Sequence, residues 1–221
     1  KVAVNYNRSP DRAEALVKEI EQNGGRAIAV QADVSREADV VRLFETVDRE
    51  LGRVTALFNN AGVVHRLTPI TEFTEDALAD MWRINITSQF LSAREAAKRM
   101  STRFGGQGGA IVNMSSAAAR LGGPNGSLAY AASKGAIDTF TTGLAIELGP
   151  QGIRVNAVRP GLIETTIHDD MGDPERLERL RPTIPLQRTG TVEEVAETVL
   201  WLLSPQASYV TNAIVDVGGG R

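Results

Sequence analysis

The chain has no cysteine among its 221 residues. That removes disulfide frameworks, thiol nucleophiles and Cys-type zinc sites, and it fits a reducing compartment, so a cytoplasmic location is expected. Nor is there an excess of positive charge: 24 Lys and Arg stand against 27 Asp and Glu, a formal net charge of −3. A dedicated nucleic-acid or anionic-membrane binder needs a basic footprint, and that class is set aside. No apolar run approaches the roughly 18 residues that a membrane span requires. Histidine is scarce. His65 and His168 are far apart and lack a carboxylate-rich ligand pattern, so neither a metal site nor a Ser-His-Asp hydrolase is expected. Repeats, low-complexity tracts and dividing linkers are also missing, and the length suits a single domain over residues 1–221 with a substantial core.

What is present is ordinary globular material, 42% hydrophobic and 23% charged, arranged in a regular alternation. Val2 to Val4 read as a short buried strand. Ser9-Pro10 then give an N-cap and first helical position, for a helix ending near Gly24-Gly25. Arg26 to Gln31 repeat the strand signal, Ser35 is expected to cap a helix through Leu51, and Val54 to Phe58 form a third apolar strand. Downstream, a long amphipathic helix is predicted from Glu75 to Met100, a strand from Ala110 to Met114, a helix from Leu128 to Leu148 and a strand from Arg154 to Val158. Thr191-x-x-Glu194 is a capping box for a helix to Leu203, and Ala213 to Val217 supply the last strand. Apolar strands separated by helices imply a doubly wound α/β fold, with a parallel sheet covered on both faces and a ligand crevice at the carboxyl ends of the strands.

One irregular stretch, residues 162–190, contains Pro174, Pro182 and Pro185 and follows a strand end, which points to a substrate lid. Its Arg176, Arg179, Arg181 and Arg188 are interleaved with acidic residues, so a solvated mixed-charge surface is expected there. The run Gly105-Gly106-Gln107-Gly108-Gly109 follows a helix and precedes a strand, the reverse of a phosphate loop, and reads as a turn.

The chemistry concentrates on Ser116, Tyr130 and Lys134. Spacing i, i+4 puts the phenol and the ammonium on one helical face. A tyrosine with an ordinary pKa near 10 is a poor proton acceptor at neutral pH, and a neighbouring cation favours its phenolate. Lys134 is expected to act in this way. Such a spacing also arises by accident, but of the three tyrosines only Tyr130 has a lysine there.

With Asn59-Asn60-Ala61-Gly62, Asn85, Ser116, Tyr130-Ala-Ala-Ser-Lys134, Pro160-Gly161 and Thr165 in this order, the chain resembles the short-chain dehydrogenase/reductase family over its whole length. The resemblance implies a Rossmann-type three-layer αβα fold and a hydride transfer between a nicotinamide cofactor and a carbinol or carbonyl carbon. It implies that Tyr130 is the general acid/base, that Ser116 bonds the substrate oxygen, and that Asn85 supports a water-linked proton relay. Lys134, with Tyr130, would meet the nicotinamide ribose.

On the cofactor side, Asp33 and Val34 match the adenine contact, although Asp33 also reads as a turn aspartate. Asn59, Ala61 and Gly62 match the segment behind the adenine ribose, with Gly62 open to a plain turn reading. Pro160, Gly161 and Ile163 would line the nicotinamide, and Thr165 its carboxamide or the pyrophosphate. At the end of the first strand, Asn5 stands where an acidic residue would select NAD, and Arg8 adds a cation. NADP(H) is therefore favoured and NAD(H) allowed, with a solvent-facing Arg8 as the plain alternative.

The Gly-rich fingerprint of the family has no counterpart, and the chain begins at what would be the second strand. The first β-α unit is expected to be missing, leaving a gap in the sheet. Asn212 stands where glycine is usual, and asparagine tolerates the left-handed backbone of such a turn. Among relatives the chain looks most like bacterial sugar dehydrogenases of the glucose 1-dehydrogenase type. A 3-oxoacyl-carrier-protein reductase is the alternative within the class, and a non-catalytic cofactor-binding scaffold the alternative outside it. The family also implies a homotetramer built on the helices at 75–100 and 128–148, although Ile137, Phe140 and Leu144 equally suit packing on the chain's own sheet.

Overall fold

The computed structural model describes residues 1–221 and contains six strands, all paired in parallel. Strands β1 (Val2–Tyr6) and β2 (Ala27–Gln31) flank helix α1 (Pro10–Gln22) in sequence. Helix α2 (Glu37–Glu50) leads to β3 (Ala56–Asn59). Next come α3 (Glu75–Trp82), α4 (Ser88–Met100), β4 (Gly109–Met114), the short α5 (Ala118–Leu121), α6 (Leu128–Leu148) and β5 (Ile153–Pro160). The short helices α7 (Ile167–Asp170) and α8 (Arg176–Leu180) lie within 162–190, and α9 (Val192–Leu203) and β6 (Ile214–Val217) complete the chain.

The sheet is in two pieces, a β1-β2 pair and a four-stranded β3-β4-β5-β6 sheet, and no hydrogen-bonded strand joins β1 to β3. Both pieces nevertheless share a core: Val30 and Ala32 from the β2 side meet Val40, Phe44 and Val47 of α2, Ala96 and Met100 of α4, and Ile111 and Val155 of the larger sheet. The other face carries a second cluster, in which Val112 and Val158 pack against Val195, Val199 and Leu202 of α9. Because Cβ direction alternates along a strand, the neighbours Ile111 and Val112, both fully buried, enter the two different cores. That is the expected three-layer αβα arrangement. A side chain of this size contributes roughly 1.5–3 kcal/mol when it leaves water.

Two expected helix features take a different form. Ser35 does not cap α2, whose N-cap position is Arg36. Instead the Asp33 carboxylate accepts both the Ser35 N–H (3.0 Å) and its hydroxyl (2.6 Å), an Asx turn that commits the Ser35 side chain elsewhere. The single helix expected over Glu75–Met100 is interrupted by a π-helical turn, Arg83–Thr87, which contains Asn85. Such insertions re-aim side chains, and they occur often at functional sites.

Elsewhere the local chemistry acts as expected. Thr191 and Glu194 form a reciprocal capping box. Gly105 and Gly108 adopt positive φ in the turn before β4, and Asn212 takes φ 59°. No helix is long and apolar enough to cross a membrane.

Candidate active site

The carboxyl ends of β3, β4 and β5 open on one cavity of about 720 Å³. Its walls include Asn60 and Gly62 after β3, Ser115 and Ser116 after β4, and Pro160 through Ile163 and Thr165 at and beyond β5. Tyr130 and Lys134 project into it from the first turns of α6. Residues far apart in sequence thus meet at the strand ends, where open α/β sheets bind ligands.

Lys134 is 2% exposed. Its Nζ donates to the Met114 carbonyl (2.8 Å) and lies 5.6 Å from the centre of the Tyr130 ring. Burial pushes its pKa down to about 8, against the pull of Asp138 one turn further along the helix. For Tyr130, burial raises the pKa and hydrogen bonding to Ser116 opposes it. The expected lowering of the phenol by Lys134 is therefore not seen in the free chain: the ammonium is turned to a backbone carbonyl and over the ring face. Asp138 is itself fixed, accepting from Ser115 Oγ (2.7 Å) and from Arg159 Nε and Nη2 (3.0 and 2.7 Å).

Asn85 is fully buried and does not line the cavity. The π turn aims its carboxamide at Val63, where Oδ1 accepts the backbone N–H (2.7 Å) and Nδ2 donates to the carbonyl (2.9 Å), with Ser133 Oγ at 3.1 Å from Nδ2. This fixes the neighbouring Gly62. A Cβ at Gly62 would lie 3.2 Å from Asn85 Oδ1 and 3.4 Å from Lys134 Nζ, without any positive φ, so close approach rather than turn geometry demands glycine there. At Gly161 the constraint is harder, with Gly218 Cα 2.7 Å from the Cβ position.

The expected cofactor residues divide into two groups. Gly62, Pro160, Gly161, Ile163 and Thr165 share the cavity with Tyr130 and Lys134. Asn5, Arg8, Asp33, Val34, Asn59 and Ala61 do not line it. Asn5 Nδ2 bonds the Ala32 and Val30 carbonyls (3.0 and 3.2 Å), Arg8 is exposed, and Val34 packs on the core. Asn59 is buried and donates to Gln89 O and Asn113 Oδ1 (3.2 and 3.1 Å), while Ala61 is exposed. Burial raises the Asp33 carboxyl, but the Ser35 hydrogen bonds and the Arg83 and Arg36 charges outweigh it and leave the group below its ordinary range.

The residues in the cavity fit the nicotinamide end of a dinucleotide: apolar walls from Pro160 and Ile163, a hydroxyl from Thr165, and glycines where backbone must come close. Fold and site together define a nicotinamide-dependent oxidoreductase.

The 162–190 segment supplies part of the cavity wall, and its base is tied by a bridge between Ile163 and Gly190. Two of its groups bear on the site. His168 is buried, with Nε2 3.0 Å from the Ile163 carbonyl and Nδ1 without a partner. Arg176, expected on a solvated surface, instead has only 24% of its side chain exposed and lines the cavity. The difference arises because α8 turns its first residue inward, and no spacing rule on so short a helix foretells that.

A family model described as enoyl-(acyl carrier protein) reductase matches residues 1–221. An uncharacterized oxidoreductase of Escherichia coli, YgfF, is 48% identical over 220 residues, covering all of this chain and 89% of that protein. A 3-oxoacyl-[acyl-carrier-protein] reductase of Synechocystis is 39% identical (all of this chain, 86% of that protein). Glucose 1-dehydrogenase 2 of Bacillus subtilis is 34% identical (99% and 84%). Among solved structures, a blue fluorescent protein from a metagenomic library in complex with NADPH superposes with a TM-score of 0.90 at 36% identity, covering 100% of this chain and 87% of that one. The chain belongs to the short-chain dehydrogenase/reductase family and is an NAD(P)-dependent oxidoreductase.

Proposed function

We propose that the protein interconverts a secondary alcohol, a sugar hydroxyl foremost, and a carbonyl, using NADP(H) in preference to NAD(H). The observation that carries this reading is the convergence of Ser116, Tyr130 and Lys134 with Gly62, Pro160, Gly161, Ile163 and Thr165 on one cavity. The cofactor supplies the hydride when bound. The Tyr130 hydroxyl delivers or removes the proton on the substrate oxygen, a contribution of about 10²- to 10⁴-fold, and the Ser116 hydroxyl bonds that oxygen. Lys134 would hold the nicotinamide ribose, and its charge beside the Tyr130 ring would favour the phenolate. Asn85 acts by holding Val63, and it supports the proton relay from beneath. Asn5, Arg8, Asp33, Val34, Asn59 and Ala61 serve the adenosine half of the cofactor, and the lack of a carboxylate at Asn5 supports the NADP(H) preference.

Residues 1–221 work as a single domain, with 162–190 as its lid. The 3-oxoacyl-carrier-protein alternative needs a free basic patch beside the site. Against it, Arg179, Arg181 and Arg188 are all engaged by carboxylates of the same segment or of α9, which leaves Arg176, inside the cavity wall, as a single cation rather than a patch. The intact Ser116, Tyr130 and Lys134 set argues against a non-catalytic scaffold. A cytoplasmic homotetramer is the working form, supported by the outward faces of α4 and α6, where Phe90 is 49% and Ile146 68% exposed. Ile137 and Phe140 are not available for that contact, the first being fully buried and the second packed on the core.

NADPH oxidation over a panel of free sugars, simple ketones and an acyl thioester tests the function. Turnover confined to the thioester selects the carrier-protein alternative. NADPH binding without any turnover selects the scaffold.

A further inference from the structure

Three of the four arginines of 162–190 are held closely by carboxylates. Arg179 grips both oxygens of Asp173 (3.0 and 2.5 Å), Arg181 meets Glu178 at 3.2 Å, and Arg188 donates twice to Glu194 (2.9 and 2.6 Å). Arg176 has only the already engaged Asp173, 3.8 Å away, and its guanidinium takes part in no hydrogen bond. It is three-quarters buried and faces the cavity that holds Tyr130. A planar five-donor fork held mostly out of water, with one distant and shared carboxylate and no hydrogen bond, is poised for an anion, above all a carboxylate or a phosphate.

The second observation is His168, in the same wall. Its Nε2 faces a carbonyl oxygen, which can only accept, so Nε2 carries the proton and Nδ1 is left as an acceptor, buried and unpartnered. An orphaned buried acceptor costs about 1–3 kcal/mol unless a donor reaches it. The wall of one cavity thus carries a loosely paired guanidinium and, just beneath its surface, an unpartnered acceptor.

We infer that the substrate is a hydroxylated oxo acid or its reduced form, with its carboxylate bound by Arg176, a hydroxyl donated to His168 Nδ1 and its carbonyl at Ser116 and Tyr130. The inference rests on the carbonyl-reductase reading above and names the substrate class of that site. Burial works against the charge on Arg176, with Asp173 opposing, so a bound carboxylate also relieves an unfavourable state.

The test uses the full chain and two matched pairs with NADPH: 5-keto-D-gluconate against L-sorbose, and levulinate against methyl levulinate. The expected result is a wild-type kcat/KM at least ten-fold higher for each carboxylate. Arg176→Met should lower the carboxylate values by about 10- to 100-fold, the usual worth of hydrogen bonds to a charged group, and leave the neutral partners within three-fold. Arg176→Lys should recover part of the loss. His168→Phe should lower the value for 5-ketogluconate and spare levulinate, which has no hydroxyl. Equal turnover within each pair, or an equal fall of both members in Arg176→Met, overturns the inference and leaves the carbonyl-reductase reading intact. A rise confined to the KM for NADPH also overturns it, by assigning Arg176 to a cofactor phosphate. NADPH binding with no reduction of any carbonyl overturns the underlying reading instead.

Discussion

Asn85 holds Val63 by both of its backbone groups, accepting the N–H at 2.7 Å and donating to the carbonyl at 2.9 Å. The π turn in the helical run makes this reach possible, and the clamp sets Gly62 against Lys134. Asn85→Leu removes both partners and leaves two backbone groups poorly satisfied, each at about 1–3 kcal/mol. Denaturant unfolding should show that loss. Asn85→Asp keeps the acceptor and should be milder in stability, while kcat falls in both.

Tyr130→Phe keeps ring and packing and removes the only proposed proton-transfer atom. The expected outcome is a fall in kcat/KM of about 10²- to 10⁴-fold, with the Kd for NADPH within a few-fold. Retained turnover in this variant would refute the assigned role.

Lys134 gives a pH signature of folding. Its pKa is about 8 in the folded chain against an ordinary 10.5. Below pH 8 it is charged in both states and the cost of burying that charge is fully present. Between about pH 8 and 10.5 the unfolded chain binds the extra proton, so this group makes stability rise with pH across that window. Thermal unfolding compared between wild type and Lys134→Met should isolate the term, because the variant lacks it.

Asp138 opposes that depression. In Asp138→Asn the Lys134 pKa should fall further and the low-pH edge of the window should move to more acid values. The same change takes the bidentate partner from Arg159, whose next carboxylate, Asp216, is 3.8 Å away. A loss of stability at every pH should accompany the shift, and Asp138→Glu should restore part of both.

The capping box at α9 supplies a control that touches none of the proposed reacting groups. Thr191→Ala should cost about 1 kcal/mol and leave kcat unchanged, with stability read by urea titration.

Patterns of local origin were legible in the sequence. The bounds of α6, the Thr191 capping box, the positive φ of Asn212 and the alternation of strand and helix all follow from propensity, periodicity and turn chemistry, which act over a few residues. Ser116, Tyr130 and Lys134 could also be picked out as candidates, because a helical spacing and an ordered set of short motifs survive in one dimension, and they meet on one cavity. Tertiary structure decided the rest. It turned Lys134 toward Met114 rather than the phenol, drew Ser35 to Asp33 instead of α2, inserted a π turn at Asn85, and left Arg176 loosely paired and His168 Nδ1 unpartnered in the cavity wall. Each outcome depends on which acceptor lies nearest in space and how much water remains around it, and neither quantity is written in the spacing of residues along a chain.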